Sequence, residues 1–178
     1  MIIFTGVAGA GKSVQGRMLA DKLGYPWLST GEFLRMLIAG ERRKDMLAGK
    51  LLSDQEMIAL MQKVLGLLPP NEEFILDGFP RTTEQAEWLL AQVKAGLIDV
   101  TAVFRIDATP EVVKKRLLQR GRQDDYHEAI EERFREFEQT IVPIIEQFRS
   151  AGISVFQIDG EQDIKEVHNN IMRVLGHS

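Results

Sequence analysis

At 178 residues, with 22 basic against 26 acidic side chains and a net charge of -4, the chain carries no basic block of the kind that grips a polynucleotide. Cysteine is absent, which excludes thiolate catalysis, a disulfide framework and a cysteine zinc clip, and fits a reducing, cytoplasmic setting. The apolar opening lacks a basic flank and runs into a glycine-rich turn, so it reads as a buried strand rather than a signal peptide, and no later apolar run approaches the roughly 18 residues of a membrane span.

Apolar runs of strand length alternate with longer amphipathic stretches, a pattern that predicts an α/β fold with a parallel sheet. The first strand, 2–5, leads into a helix from Lys12. The second, 25–29, precedes helices near Gly31 and Ser53; the third, 74–77, precedes one near Thr82. The fourth, 100–106, is followed by helices from Pro110 and Asp125, and the fifth, 153–158, by one near Gln162. Ser53 with Glu56, and Asp125 with Glu128, have capping-box spacing, while Thr109-Pro110 reads as an N-cap followed by an N1 proline. Phe134, Phe137, Ile141 and Ile144 or Ile145 recur at helical spacing and read as core. His127, His168 and His177 show no ligand spacing and read as solvated. Segments 30–60 and 119–126 break the strand-helix rhythm; both read as flaps over a substrate, within one domain spanning 1–178.

Gly6-Val7-Ala8-Gly9-Ala10-Gly11-Lys12-Ser13, set between strand and helix, is a complete G-x-x-x-x-G-K-[ST] match. Glycines let the backbone curl so that its N–H groups face inward as an anion nest, and the following helix adds its positive end. Lys12 would reach the β and γ phosphates of a nucleotide, and the Ser13 hydroxyl would sit on magnesium. The plain alternative is an ordinary glycine-rich turn.

A second motif, Asp77-Gly78-Phe79-Pro80-Arg81, ends the third strand on a carboxylate and then an arginine. Together with Ser29-Thr30-Gly31 followed by Arg35, and Arg120-Gly121-Arg122 ahead of Asp124-Asp125 and Arg133, it resembles the adenylate kinase family, in family order and over nearly the whole chain. The resemblance is to its short-lid type. It implies the three-layer P-loop fold, with a five-stranded parallel sheet in the order 2-3-1-4-5 and helices on both faces. It also implies an ATP-dependent nucleoside monophosphate kinase, with AMP as the leading acceptor.

The resemblance places ATP against Gly9, Ala10, Gly11, Lys12, Ser13 and Val14, with Arg116 and Gly160 beside them. It places the monophosphate against Thr30, Arg35, Gly78, Arg81 and Gln85, and magnesium at Ser13 and Asp77 through water. Charge on the transferring group would be met by Lys12, Arg81, Arg120, Arg122 and Arg133. Plainer roles stand beside these. Asp77 would cap a helix, Gln85 would close a capping box with Thr82, Thr30 would start a helix with Ser29 and Glu32, and Gly160 would be a turn glycine. Arg116 and Arg120 share a helical face, so Arg116 either supports the cluster or pairs with a nearby carboxylate.

The chain departs from the family pattern in places. Ser13-Val14 stands where glycine and then threonine usually follow the lysine, and Ala8 replaces the usual proline. Segment 41–52 and the lid after Arg120 are short, which predicts looser acceptor choice and some hydrolysis of ATP in the absence of acceptor. Acceptor choice therefore stays open between AMP, UMP or CMP, and several of these; a nucleotide-binding protein with weak or no turnover is the reading from another class. The expected partners are small nucleotides, with no nucleic acid polymer and no membrane, and a monomer is the expected state.

Overall fold

Ile2, Ile3 and Phe4 are buried on both faces of β1 (Ile2–Thr5), and a strand apolar on both faces needs helices covering each side of its sheet. β1 accordingly lies in the middle of a five-stranded parallel sheet, ordered β2-β3-β1-β4-β5. The other strands are β2 (Trp27–Ser29), β3 (Ile75–Asp77), β4 (Ala102–Asp107) and β5 (Val155–Asp159). This is the order that the family resemblance implied. The computed structural model describes residues 1–37, 52–69, 72–120, 131, 134, 135 and 137–177.

The helices of these residues are α1 (Lys12–Leu23), α2 (Thr30–Leu37), α3 (Asp54–Leu65), α4 (Thr83–Lys94), α5 (Pro110–Arg120), α6 (Val142–Ser150) and α7 (Ile164–Val174). Alternation along β1 feeds two cores. Ile2 and Phe4 join Leu19 of α1, Leu117 of α5 and Ile171 of α7 on one face. Ile3 joins Met61 of α3, Leu89 of α4 and Phe148 of α6 on the other. Phe4, Phe104 and Phe156 form an aromatic ladder across β1, β4 and β5, with ring centroids 5.5 and 5.7 Å apart. Truncating the fully buried Phe104 would cost about 3–5 kcal/mol.

Differences from the expected elements have local causes. β2 begins at Trp27 rather than at residue 25; Pro26 has no N–H to donate, although its carbonyl accepts from the Ile75 N–H at 2.8 Å. The expected helix near Asp125, and the Asp125–Glu128 capping box, lie outside the described residues. Further along, the Phe134–Ile145 periodicity reads as an unbroken α-helix, yet Phe137–Ile141 is a π-helical turn ahead of α6. Pro143 explains the change, because it cannot donate back along an α-helical ladder. The core reading of that stretch holds: Ile141, Ile144 and Ile145 are buried, and Phe134 and Phe137 pack against the cores. Ser53 and Glu56 form the full capping box of α3.

One histidine reading is corrected. His177 is exposed, but His168 is half-buried on α7, with Nδ1 shielded and unpartnered among the described residues. Burial, and then the nearby Lys22 charge, pull its pKa below the ordinary value. His127 lies outside the described residues.

Candidate active site

β1 has β3 on one side and β4 on the other, so the loop after β1 emerges where the strand order reverses. The register pairs Phe4 with Asp77, which sets that loop beside the end of β3. Gly6 opens the loop with φ of 141°, and a Cβ there would stand 2.3 Å from the Ile106 carbonyl oxygen, so only glycine fits.

The loop ends at Gly11, the N-cap of α1, and among the described residues no side chain caps that helix. By contrast α3, α4 and α7 are capped by Ser53, Thr82 and Asp163. The first turns of α2, α3, α4, α5 and α7 carry Asp or Glu, whereas the first turn of α1, like that of α6, carries none. Its N–H groups and the positive end of its dipole are thus left for an anion. Lys12 Nζ donates to the Gly6 and Val7 carbonyls at 2.7 and 2.9 Å, which folds the side chain over its own loop.

Ser13 Oγ donates to Asp77 Oδ2 at 2.5 Å, joining the start of α1 to the end of β3. Asp77 is therefore not occupied as a helix cap. These two hard oxygens suit magnesium, which keeps water and substrate oxygens in the rest of its shell. Among the described residues no group of three or more His, Cys, Asp or Glu side chains could hold a metal by itself.

Across the cleft, Thr30 Oγ1 donates to the Gly78 carbonyl at 2.9 Å and so ties α2 to the end of β3. Arg81 Nε donates to the same carbonyl at 2.9 Å. A Cβ on Gly31 would lie 3.4 Å from Arg35 Nη1 and 3.8 Å from Arg81 Nη2, so both guanidinium groups converge over Gly31. Gly31, Arg35, Gly78 and Arg81, with Ser13 and Asp77, face one cavity of about 690 Å³, within the range of small-ligand sites.

The structure brings most of the expected residues to that cavity. Gly9, Ala10, Gly11, Lys12, Ser13 and Val14 form one wall, closed by Arg116, Arg120 and Gly160. Arg35, Asp77, Gly78 and Arg81 form the other. Arg116 Nη1 reaches the Ala10 carbonyl at 3.3 Å, and a Cβ on Gly160 would sit 2.8 Å from that same oxygen. Gly160 thus permits close packing of the loop after β5 on the loop after β1. Arg122 and Arg133, with positions 121–126 of the expected lid, lie outside the described residues, as does 41–51 of the expected acceptor segment.

Thr30 and Gln85 are buried behind the wall rather than on it. Gln85 Oε1 accepts from the Arg81 N–H at 2.8 Å, and Nε2 donates to Asp54 Oδ1 at 2.7 Å. The Gln85 N–H also donates to Thr82 Oγ1 at 3.2 Å, so Thr82 does cap α4; the reciprocal capping-box bond is replaced by the one from Arg81. Asp54, which also accepts from Thr82 at 2.8 Å, has no signal in the sequence beyond its place after the Ser53 cap. The role of Glu161 is equally silent in the sequence: it accepts from the Thr109 N–H at 2.6 Å, and these Thr109 bonds, then the Arg116 charge, hold its carboxyl below the usual range. Arg17 and Glu32, 15 positions apart, also line the cavity and form an ion pair.

An uncapped helix start at the switch point of a parallel sheet, faced by a carboxylate and an arginine pair, defines a P-loop α/β protein of the nucleotide-binding class. The comparisons with known proteins narrow this. The adenylate kinase family model matches residues 4–153, and the chain belongs to that family. It is 35% identical to the adenylate kinase of Leptospira biflexa, covering 97% of each chain. Likeness to the adenylate kinase of Prochlorococcus marinus is also 35%, over 98% and 96% of the two chains. For that of Archaeoglobus fulgidus it is 31%, over 98% and 97%.

Proposed function

We propose that the chain reversibly transfers the γ-phosphoryl of ATP to AMP, giving two ADP, and that magnesium assists. The observation that carries this reading is the shared cavity in which the uncapped start of α1 faces the Arg35–Arg81 pair. ATP phosphates would lie against the N–H groups of residues 9–14, with Lys12 leaving its loop carbonyls to meet the β and γ phosphates. Arg35 and Arg81 would hold the acceptor's phosphate in line with the donor. The attacking oxygen is already ionised, so no strong base is required and positioning with fixed charge suffices.

Ser13 and Asp77 would hold the magnesium through water, and the ion would neutralise charge on the bridging phosphate oxygens. Arg120, with Arg122 and Arg133, would complete the charge around the transferring group. Gln85, bonded behind the wall to Asp54 and the Arg81 N–H, would hold the Arg81 backbone in place at the acceptor's phosphate. We also infer one kinase domain over 1–178, with an acceptor insert at about 30–60 and a very short lid at about 119–126, acting as a cytoplasmic monomer. Among the described residues, no helix is long and apolar enough to cross a membrane.

A coupled assay with ATP, magnesium and each of AMP, CMP, UMP and GMP tests the reading. It predicts ADP formation with AMP as the best acceptor. Tight ATP binding with no ADP formed from any of the four would contradict it.

A further inference from the structure

Acid on the wall of a site built for phosphate is costly unless its charge is met. Glu32, in the first turn of α2, lines the cavity beside Gly31 and Arg35, where it would repel an entering monophosphate. Arg17 of α1 meets it at 3.2 Å, and the side chains are 58% and 39% exposed. The same guanidinium lies 4.6 Å from the centroid of the Trp27 ring. The Trp27 indole in turn occupies space that exists because residue 16 is glycine: a Cβ there would be 3.0 Å from Trp27 Nε1, a buried donor with no partner among the described residues. These contacts join α1, β2 and α2 at the cavity.

We propose that Arg17, steered by Trp27, is a charge-compensating positioning residue for the monophosphate half of the site. It cancels the Glu32 carboxylate, so that the positive field of Arg35 and Arg81 reaches the acceptor undiminished. The stacked ring restricts the long arginine side chain to the region above α2, which lowers the entropy lost in forming an exposed ion pair. Exposed pairs contribute little to stability, so the consequence is electrostatic and is read in ligand affinity.

This role rests on the proposed acceptor half of the site, and its test is calorimetric binding of AMP and, separately, of ATP to the full chain, with no dependence on turnover. R17A should weaken AMP binding about threefold to tenfold and leave ATP nearly unchanged. R17K, which keeps the charge, should retain most of the affinity. E32Q should bind AMP as tightly as the parent or more tightly, and R17A/E32Q should return to within about twofold of the parent, because both charges leave together.

A bracket that merely holds α2 in place would give the reverse: the double variant would be as weak as R17A or weaker, and that result overturns the proposal. So does an R17A affinity equal to the parent's. Failure of the parent itself to bind AMP would instead refute the acceptor reading beneath it. Thermal melting of each variant separates lost binding from lost folding.

Discussion

The wall proposed for the donor rests on one contiguous stretch, residues 8–14 at the start of α1, closed by Arg116, Arg120 and Gly160, whereas the wall proposed for the acceptor is assembled entirely from pieces far apart in the chain. Thr30 and Gly78 meet across 48 positions, Gln85 and Asp54 across 31, and Arg17 and Glu32 across 15. A contiguous turn carries its chemistry in its own backbone, so side-chain changes beside it alter charge more than shape. The assembled wall depends on shielded polar bonds, and cutting one leaves its partner behind unsatisfied. The two walls should therefore fail differently.

The sharpest break is expected on the donor side. K12A should lower kcat by about a hundredfold or more, while the melting temperature stays close to the parent's, because the lysine lies on the loop rather than in the core. Steady-state rates with a melting curve check both. A K12A variant that melts far lower would show that the donor wall, too, is held by side-chain bonds.

On the acceptor side, D54A removes the partner of both Thr82 and Gln85, which should cost about 1–3 kcal/mol of stability. It should also raise KM for AMP with little change for ATP. Denaturant melts and paired KM values test this. Equal shifts in the two KM values would erase the distinction between the walls.

A smaller effect concerns acid. The Glu161 pKa lies below its ordinary value of 4.5, so its bond to Thr109 stabilises the fold fully above that value and is lost as pH falls through the lowered one. The lowered pKa of His168 acts in a higher window: below the ordinary value of 6.5 the unfolded chain binds more protons, and stability declines as pH falls toward the folded value. Melts across pH 7 to 5 should therefore flatten in H168Q. Melts below about pH 4.5 should flatten in E161Q.

The smallest effect is background hydrolysis through the very short lid proposed at about 119–126. ADP release from ATP without acceptor should exceed the spontaneous rate, and a rate equal to it would remove any role for that truncation.

The same contrast between a contiguous and an assembled wall decides what is legible in the amino-acid sequence. The sheet follows from apolar runs separated by capped helices, and the donor turn follows from eight adjacent residues whose backbone requirements are written in their glycines. Arg35, Asp77 and Arg81 are legible only as matches to a family pattern, since nothing local says that they converge. Arg17 with Glu32, and Asp54 with Gln85, are not legible because their chemistry arises from packing between α1, α2, α3 and α4. Pro143 is readable as a helix breaker, yet the apolar period through Phe137 and Ile141 masks the π turn that it imposes.

If both walls serve one bound pair of nucleotides, a molecule made of two adenosines bridged by a polyphosphate should span them. Calorimetry should find one such molecule bound per chain, tighter than ATP or AMP, and weakened by both K12A and R81A. Two molecules per chain, or binding indifferent to R81A, would mean that the arginine pair over Gly31 faces no acceptor.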